Sequence, residues 1–299
     1  MTVRRSPKQV SGVALILVLM ITGVLGILML QIGLTAKQNV SDTQRLQDRA
    51  EAWLNLHSRE RVLEFTLLTN EWLAADELMP GTIPASWNFR GQSFSHDSAV
   101  YQLQDISGLV PMPLPGQPTE PIRDVLVQLG IDAQRSESIM QQYRSVVSGA
   151  GNSSPALIDS RQARNPLQAF GELLNLTDIT TNELRLLESI ATLYPSQSFN
   201  PLTAPPEVLA ARLPGLGGQS AVELQREGRL TRENLFDLTG LGIDDFTSFY
   251  PGPAFRTEIT VSYKGIRQTR RSTVIVQPYS NDPIVLWSRQ RLREPGARP

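Results

Sequence analysis

The chain of 299 residues contains no cysteine and only two histidines. Missing thiols exclude disulfides, thiol nucleophiles and cysteine-ligated zinc together, and they leave the compartment open. An excess of either charge is lacking as well. With 28 Lys+Arg against 29 Asp+Glu the formal net charge is -1, which argues against whole-chain electrostatic attraction to nucleic acid. His57 falls on a charged stretch of expected helix and His96 in a loop, neither at a telling spacing from a serine or a carboxylate. Asp244-Asp245 lies in a glycine-rich loop and reads as solvated turn residues. We therefore expect no enzyme and no small-molecule substrate.

Charge is absent altogether from Val13 to Leu34. About 22 residues at about 1.5 Å each give about 33 Å, enough to cross a hydrocarbon core of about 30 Å. Arg4, Arg5 and Lys8 precede this run without a compensating acid, and Lys37 is the first cation after it. The positive-inside rule then puts the leader in the cytoplasm and the rest beyond the membrane. A secretory signal fits less well, because the run exceeds the usual 7 to 15 residues and no small-x-small pattern closes it. Gly12 stands where the basic leader meets the first apolar residue. Gly23, Gly26 and Gly33 would let a second helix approach closely, and Gly26 and Gly33 share a face.

The helical pattern continues past the apolar run. Ala52, Leu56, Leu63 and Leu67 fall within about 60° of one another on the helical wheel, with Trp53 at the edge; Trp53 and Trp72 are expected as core aromatics. Met79-Pro80-Gly81 breaks the pattern. Strands are expected around Trp87 to Phe94 and Ala99 to Ile106, the second alternating Tyr101 and Leu103 against Gln102 and Gln104. Pro111, Pro113, Pro115, Pro118 and Pro121 crowd a stiff connector that marks a boundary. Helices are expected at Ile122 to Leu129, Ala133 to Val147, Leu167 to Leu176, Thr181 to Leu193, Pro205 to Leu213, Ser220 to Arg226 and Thr231 to Leu238, capped by side chains at Thr181 and Thr231. Ser148 to Pro155 reads as a flexible loop. Phe255 to Val276 reads as a hairpin turning at Lys264-Gly265, its face of Arg256, Glu258, Thr260 and Ser262 wet, with Arg267, Arg270 and Arg271 as a small basic patch guarding a strand face or edge.

Leader, glycine and apolar helix together resemble the type IV prepilin class, which implies cleavage by a prepilin peptidase between Gly12 and Val13 and N-methylation of Val13. That class usually has Glu as the fifth mature residue, where this chain has Leu17. Asn200-Pro201-Leu202-Thr203-Ala204-Pro205-Pro206-Glu207-Val208-Leu209 resembles the N-x-N-T-A-P-P-x-x-L pattern of the K-type minor pseudopilins of type II secretion systems, with Leu202 in place of the second Asn. The other landmarks of that family follow in order: Gln104-Asp105-Ile106-Ser107-Gly108, the element from Pro166 to Leu173, and Leu286-Trp287 in the closing hairpin. Val110-Pro111-Met112 stands where the family usually has an N-x-N. K-type members typically lack the fifth-position Glu and sit at the pseudopilus tip.

The resemblance implies an α+β pseudopilin fold with a long N-terminal transmembrane helix, a small antiparallel sheet and an inserted all-helical domain. Its segments would be a leader (1–12), a transmembrane helix (13–34), its periplasmic continuation (35–79), the first part of the sheet (80–110), the helical insertion with a helix-hairpin-helix-like element (111–250) and the closing strands (251–299). It also implies a protein of the inner membrane with one pass, N-terminus cytoplasmic and globular part periplasmic. Other minor pseudopilins, the major pseudopilin and the prepilin peptidase would be its partners. Calcium, bound elsewhere in the family, is not expected, because the corresponding segment from Tyr143 to Asn152 has no carboxylate. The rival reading is a helix-hairpin-helix nucleic-acid module at Leu213-Pro214-Gly215-Leu216-Gly217, opposed by the lack of Lys or Arg from Gly218 to Leu224.

Overall fold

A computed structural model describes residues 11–69, 88–114, 117–150, 167, 169–194, 198–213, 215–242 and 246–292. The expected breaker at Met79 to Gly81, Trp72, Trp87 and Asp244-Asp245 lie outside these residues. The fold is α+β. Helix α1 runs unbroken over Ser11–Thr69, 59 residues that include the whole apolar run, and is long and apolar enough to cross a membrane.

Strands β1 (Phe94–His96) and β2 (Ala99–Asp105) form a hairpin across Asp97 and Ser98, both at positive φ. A 3-10 turn (Ile106–Gly108) and the two-residue strand β3 (Val110–Pro111) lead to α2 (Glu120–Gln128) and α3 (Ala133–Ala150). A second 3-10 turn (Phe170–Glu172) precedes α4 (Leu173–Leu176), α5 (Thr181–Ile190), β4 (Ala191–Thr192), α6 (Pro206–Arg212), α7 (Leu216–Arg226) and α8 (Arg232–Thr239). The chain closes on β5 (Ala254–Tyr263), β6 (Ile266–Val276) and β7 (Ile284–Leu292). The larger sheet has the order β1-β2-β5-β6-β7, so the helices from α2 to α8 enter between two adjacent strands, β2 and β5.

The chain divides into two compact units, one of residues 1–54 with Tyr263–Ile266 and one of residues 55–262 with 267–299. In the first, side chains from Val13 to Leu34 are exposed. Lys264 Nζ lies 2.9 Å from Asp48, and the Tyr263 hydroxyl donates to Glu51. Lys264 (φ 46°) and Gly265 (φ 80°) make the expected two-residue hairpin turn, which needs positive φ at both positions.

The second unit holds two main apolar clusters. Leu56, Leu63 and Leu67 of α1 pack with Tyr101 and Leu103 of β2, Phe255 and Ile259 of β5 and Val274 of β6. Val125, Met140, Leu187, Val208, Leu209 and Leu235 mark the other cluster, built from the helices between β2 and β5. Full burial of each such side chain contributes about 1.5–3 kcal/mol.

Several expectations need correction. Trp53 is 44% exposed, because it sits at the margin of the buried stripe rather than within it. The strand expected around Trp87 to Phe94 is broken: Arg90 makes an isolated antiparallel bridge with Gln104, Asn88 Oδ1 accepts from the backbone N–H groups of Arg90 and Gln92 and turns the chain there, and β1 begins at Phe94. The loop expected from Ser148 starts later, since α3 continues through Gly149 to Ala150; its remainder, Gly151 to Pro155, lies outside the described residues. Helix α5 ends at Ile190, and Ala191–Thr192 instead pairs in parallel with Val110–Pro111. Its cap is Thr180, one residue before the expected Thr181, forming a reciprocal capping box with Glu183. Thr231 caps α8 as expected.

Helix α7 begins at Leu216, four residues before the expected Ser220. Gly217 and Gly218, ahead of the expected start, are sites of close approach. A Cβ on Gly218 would stand 2.8 Å from the Ala210 carbonyl oxygen, so the absent side chain lets α6 and α7 pack.

Candidate functional site

The sequence landmarks at 104–108 and 200–209, far apart in the chain, meet at one carboxylate. Asp105 ends β2 and is wholly buried. Its Oδ1 accepts from the backbone N–H of Ser107 (2.9 Å) and of Gly252 (3.2 Å). The other oxygen accepts from Ser107 Oγ (2.5 Å), Asn200 Nδ2 (3.0 Å) and Thr203 Oγ1 (2.8 Å). Burial pushes this carboxyl above its ordinary value, and the hydrogen bonds from Ser107, Thr203 and Gly252 pull against it.

Each residue of the second landmark then has a physical role. Asn200 turns its amide nitrogen to Asp105 and its Oδ1 to the N–H of Leu202 (3.1 Å). Ala204 is fully buried in the helical core. Pro205 is extended, and Pro206 starts α6 at a position where no N–H is needed. Leu209 enters the helical core. Leu202, which replaces an Asn of the family pattern, packs its side chain against the same core.

This irregular segment is buried, so its backbone carbonyls need partners. Side chains supply them: Arg90 Nε reaches Leu202 O (2.9 Å), Gln104 Nε2 reaches Thr203 O (3.0 Å) and Gln225 Nε2 reaches Ala204 O (2.9 Å). Gly108 packs directly beneath, where a Cβ would fall 2.6 Å from Thr203 O. The result is a rigid joint between the end of β2, the start of α6 and the approach to β5.

A second polar cluster binds α1 to the sheet within the same unit. Glu60, buried, takes Arg270 at 2.6 Å, Arg289 at 3.0 Å and the Ser272 hydroxyl at 3.4 Å; His57 Nδ1 stands 3.5 Å away. His96 Nε2 lies 3.7 Å from Asp97 Oδ2. The three hairpin arginines do not form the expected patch: Arg270 alternates to the opposite face from Arg267 and Arg271, and two acids take up Arg271. Arg270 is buried on Glu60, Arg271 pairs with Glu188 and Glu258, and Arg267 remains exposed.

The face expected to be wet is partly covered as well. Arg256 points toward α5 and donates to the Glu188 and Ala191 carbonyls at that helix's end, and burial lowers its pKa to about 10. No sequence signal marked Arg256, Glu60 or Gln225; each reads as an ordinary polar position until its distant partner is known.

The sites expected near the N-terminus lie apart from this joint. Gly12, Val13 and Leu17 are all within α1, Val13 and Leu17 exposed, and nothing lies within 4 Å of the Cβ positions of Gly23, Gly26 or Gly33. Of the segment from Tyr143 to Asn152, Tyr143 to Val147 lie on α3, and the Tyr143 hydroxyl donates to the Pro113 carbonyl (3.1 Å). Among the described residues no group of three metal-ligating side chains converges. In the α6–α7 hairpin the exposed Arg212 lies over the Phe199 ring, 4.4 Å from its centroid.

Comparison with known proteins gives a distant likeness. No family model and no curated protein matches the chain. Among solved structures, a chain from "The Crystal Structure of the GspK-GspI-GspJ complex from enterotoxigenic Escherichia coli Type 2 Secretion System" aligns at 13% identity and a TM-score of 0.47, covering 84% of this chain and 99% of that one. Likeness at this level assigns neither family nor function.

Proposed function

We propose that the protein is a membrane-anchored minor pseudopilin of the K type, a non-enzymatic subunit at the tip of a type II secretion pseudopilus. The observation that carries the reading is α1: its uncharged, exposed segment from Val13 to Leu34 begins directly after a basic leader ending in Gly12, and the same helix continues into residues that help build a sheet core. In this reading prepilin peptidase cuts between Gly12 and Val13, and Val13 becomes the methylated N-terminus. The helix stays in the inner membrane and docks through its small residues on the helices of other pseudopilins, with the folded part in the periplasm.

Leu17 supports the tip position. A carboxylate in lipid is costly unless a partner meets it, so a subunit with no neighbour ahead of it has no use for one there. The helices inserted between β2 and β5 would add the bulk that prevents another subunit from stacking above. Mass spectrometry of the protein from cells with a functioning prepilin peptidase tests the reading. A chain starting at Val13 is expected; an intact Met1, or a cut near Lys37, overturns it.

A further inference from the structure

Between the outer face of the sheet and α5 lies a cleft of about 470 Å³ whose walls include Arg90, Arg185, Arg256 and Arg271 against Glu188 and Glu258. Both glutamates are already engaged. Arg271 Nη1 holds Glu188 at 3.0 Å, and its Nη2 holds Glu258 at 2.9 Å. Arg256 has only backbone carbonyls as acceptors among the described residues, those of Glu188 and Ala191. Arg90 uses Nε on the Leu202 carbonyl, which leaves both of its terminal nitrogens without an acceptor among the described residues. Arg185 is exposed and has no ion-pair partner among them. Four guanidinium groups against two carboxylates leave the cleft with positive charge in excess. Partial burial makes that excess count, because water screens it less than it would on an open surface.

The geometry points to this cleft as a docking site for a carboxylate side chain of a partner polypeptide, received by Arg90 and Arg185. A planar guanidinium with two free N–H groups matches a carboxylate in bidentate fashion. Arg271 is already held by Glu188 and Glu258, and Arg256 by two carbonyls, so the donors left are the planar fork of Arg90 and the guanidinium of Arg185, a set that suits a planar carboxylate. The cleft belongs to the folded unit whatever α1 does, so its occupant can be tested apart from the secretion reading.

Isothermal titration of the full chain in detergent micelles, with a capped tetrapeptide carrying two central glutamates, makes that test. Binding is expected with the glutamate peptide and not with its glutamine counterpart. Arg185→Gln should weaken it about tenfold, and Arg90→Lys, which keeps the charge and loses the fork, should weaken it as well. Arg267→Gln, exposed and outside the cleft, should leave it unchanged. Equal binding of the two peptides, inorganic phosphate binding more tightly than the glutamate peptide, or an unaltered affinity in Arg185→Gln would each overturn the assignment.

Discussion

Asp105 and Glu60 are both removed from water, yet the two regions around them hold their acids by different means. Glu60 is met by the cations of Arg270 and Arg289, which come from the strands it faces. Asp105 is met, among the described residues, by neutral donors alone, two of them backbone N–H groups. A pair of side chains can be exchanged for apolar ones of similar volume, often at no cost in stability. Backbone donors cannot be exchanged. The first arrangement fastens a helix to a sheet and could be replaced; the second fixes the path of the chain itself.

Removing each acid should expose that difference. Asp105→Ala strands several buried donors at once and should cost about 4–5 kcal/mol, and no second substitution should recover it. Glu60→Ala leaves Arg270 buried without its acid and should cost about 3–4 kcal/mol, whereas Glu60→Met combined with Arg270→Leu should return to within about 1 kcal/mol of the parent. Chemical denaturation of the parent, these variants and Asp105→Ala combined with Asn200→Leu makes the measurement. Rescue of Asp105→Ala by Asn200→Leu would break the comparison, because it would make the joint an exchangeable side-chain pair.

A smaller effect tests whether close backbone approach is part of the joint. Gly108→Ala brings a methyl group 2.6 Å from the Thr203 carbonyl oxygen. The crowding should cost about 1–3 kcal/mol. Gly26→Ala, with open space at its Cβ position within this chain, should leave the folded part's melting temperature where it was. Equal losses at the two glycines would mean that the 108–203 approach is loose.

What could be read in advance follows the same division. Local rules found α1, the β5–β6 hairpin and its Lys264-Gly265 turn, because periodicity and turn chemistry act between near neighbours. The motif at 200–209 stood out in sequence, but its meaning did not, since Asn200 and Thr203 acquire their roles from Asp105 almost a hundred residues earlier. Arg256 was misread for the same reason. Its position on the strand alternates correctly to the outer face, and only the tertiary arrival of α5 covers part of that face. Gly217 and Gly218 lie before the helix start expected at Ser220, yet they belong to α7 and permit its packing on a neighbouring helix, a contact that local rules do not register.

Glu183 combines the two modes and gives the finest test. Its Oε1 takes Arg135 Nε at 2.7 Å, as Glu60 takes arginine, while Oε2 accepts the Thr180 backbone N–H at 2.8 Å, as Asp105 accepts backbone. Arg135 first, then Thr180, hold its pKa at about 2 against an ordinary 4.5. A depressed carboxylate stabilises above its unfolded value and loses that contribution as pH falls through the folded one, so the support should fade between pH 4.5 and about 2. Asp105, displaced upward, has the opposite slope: its contribution is greatest below the ordinary aspartate value and declines as pH rises through the folded value. Thermal melts of the parent and Glu183→Gln should differ most at neutral pH and converge toward pH 2, with Thr180→Ala costing about 1 kcal/mol through loss of the cap. A difference between parent and Glu183→Gln that stayed constant down to pH 2 would show that the acid's charge does not contribute, and that the cap acts through shape alone.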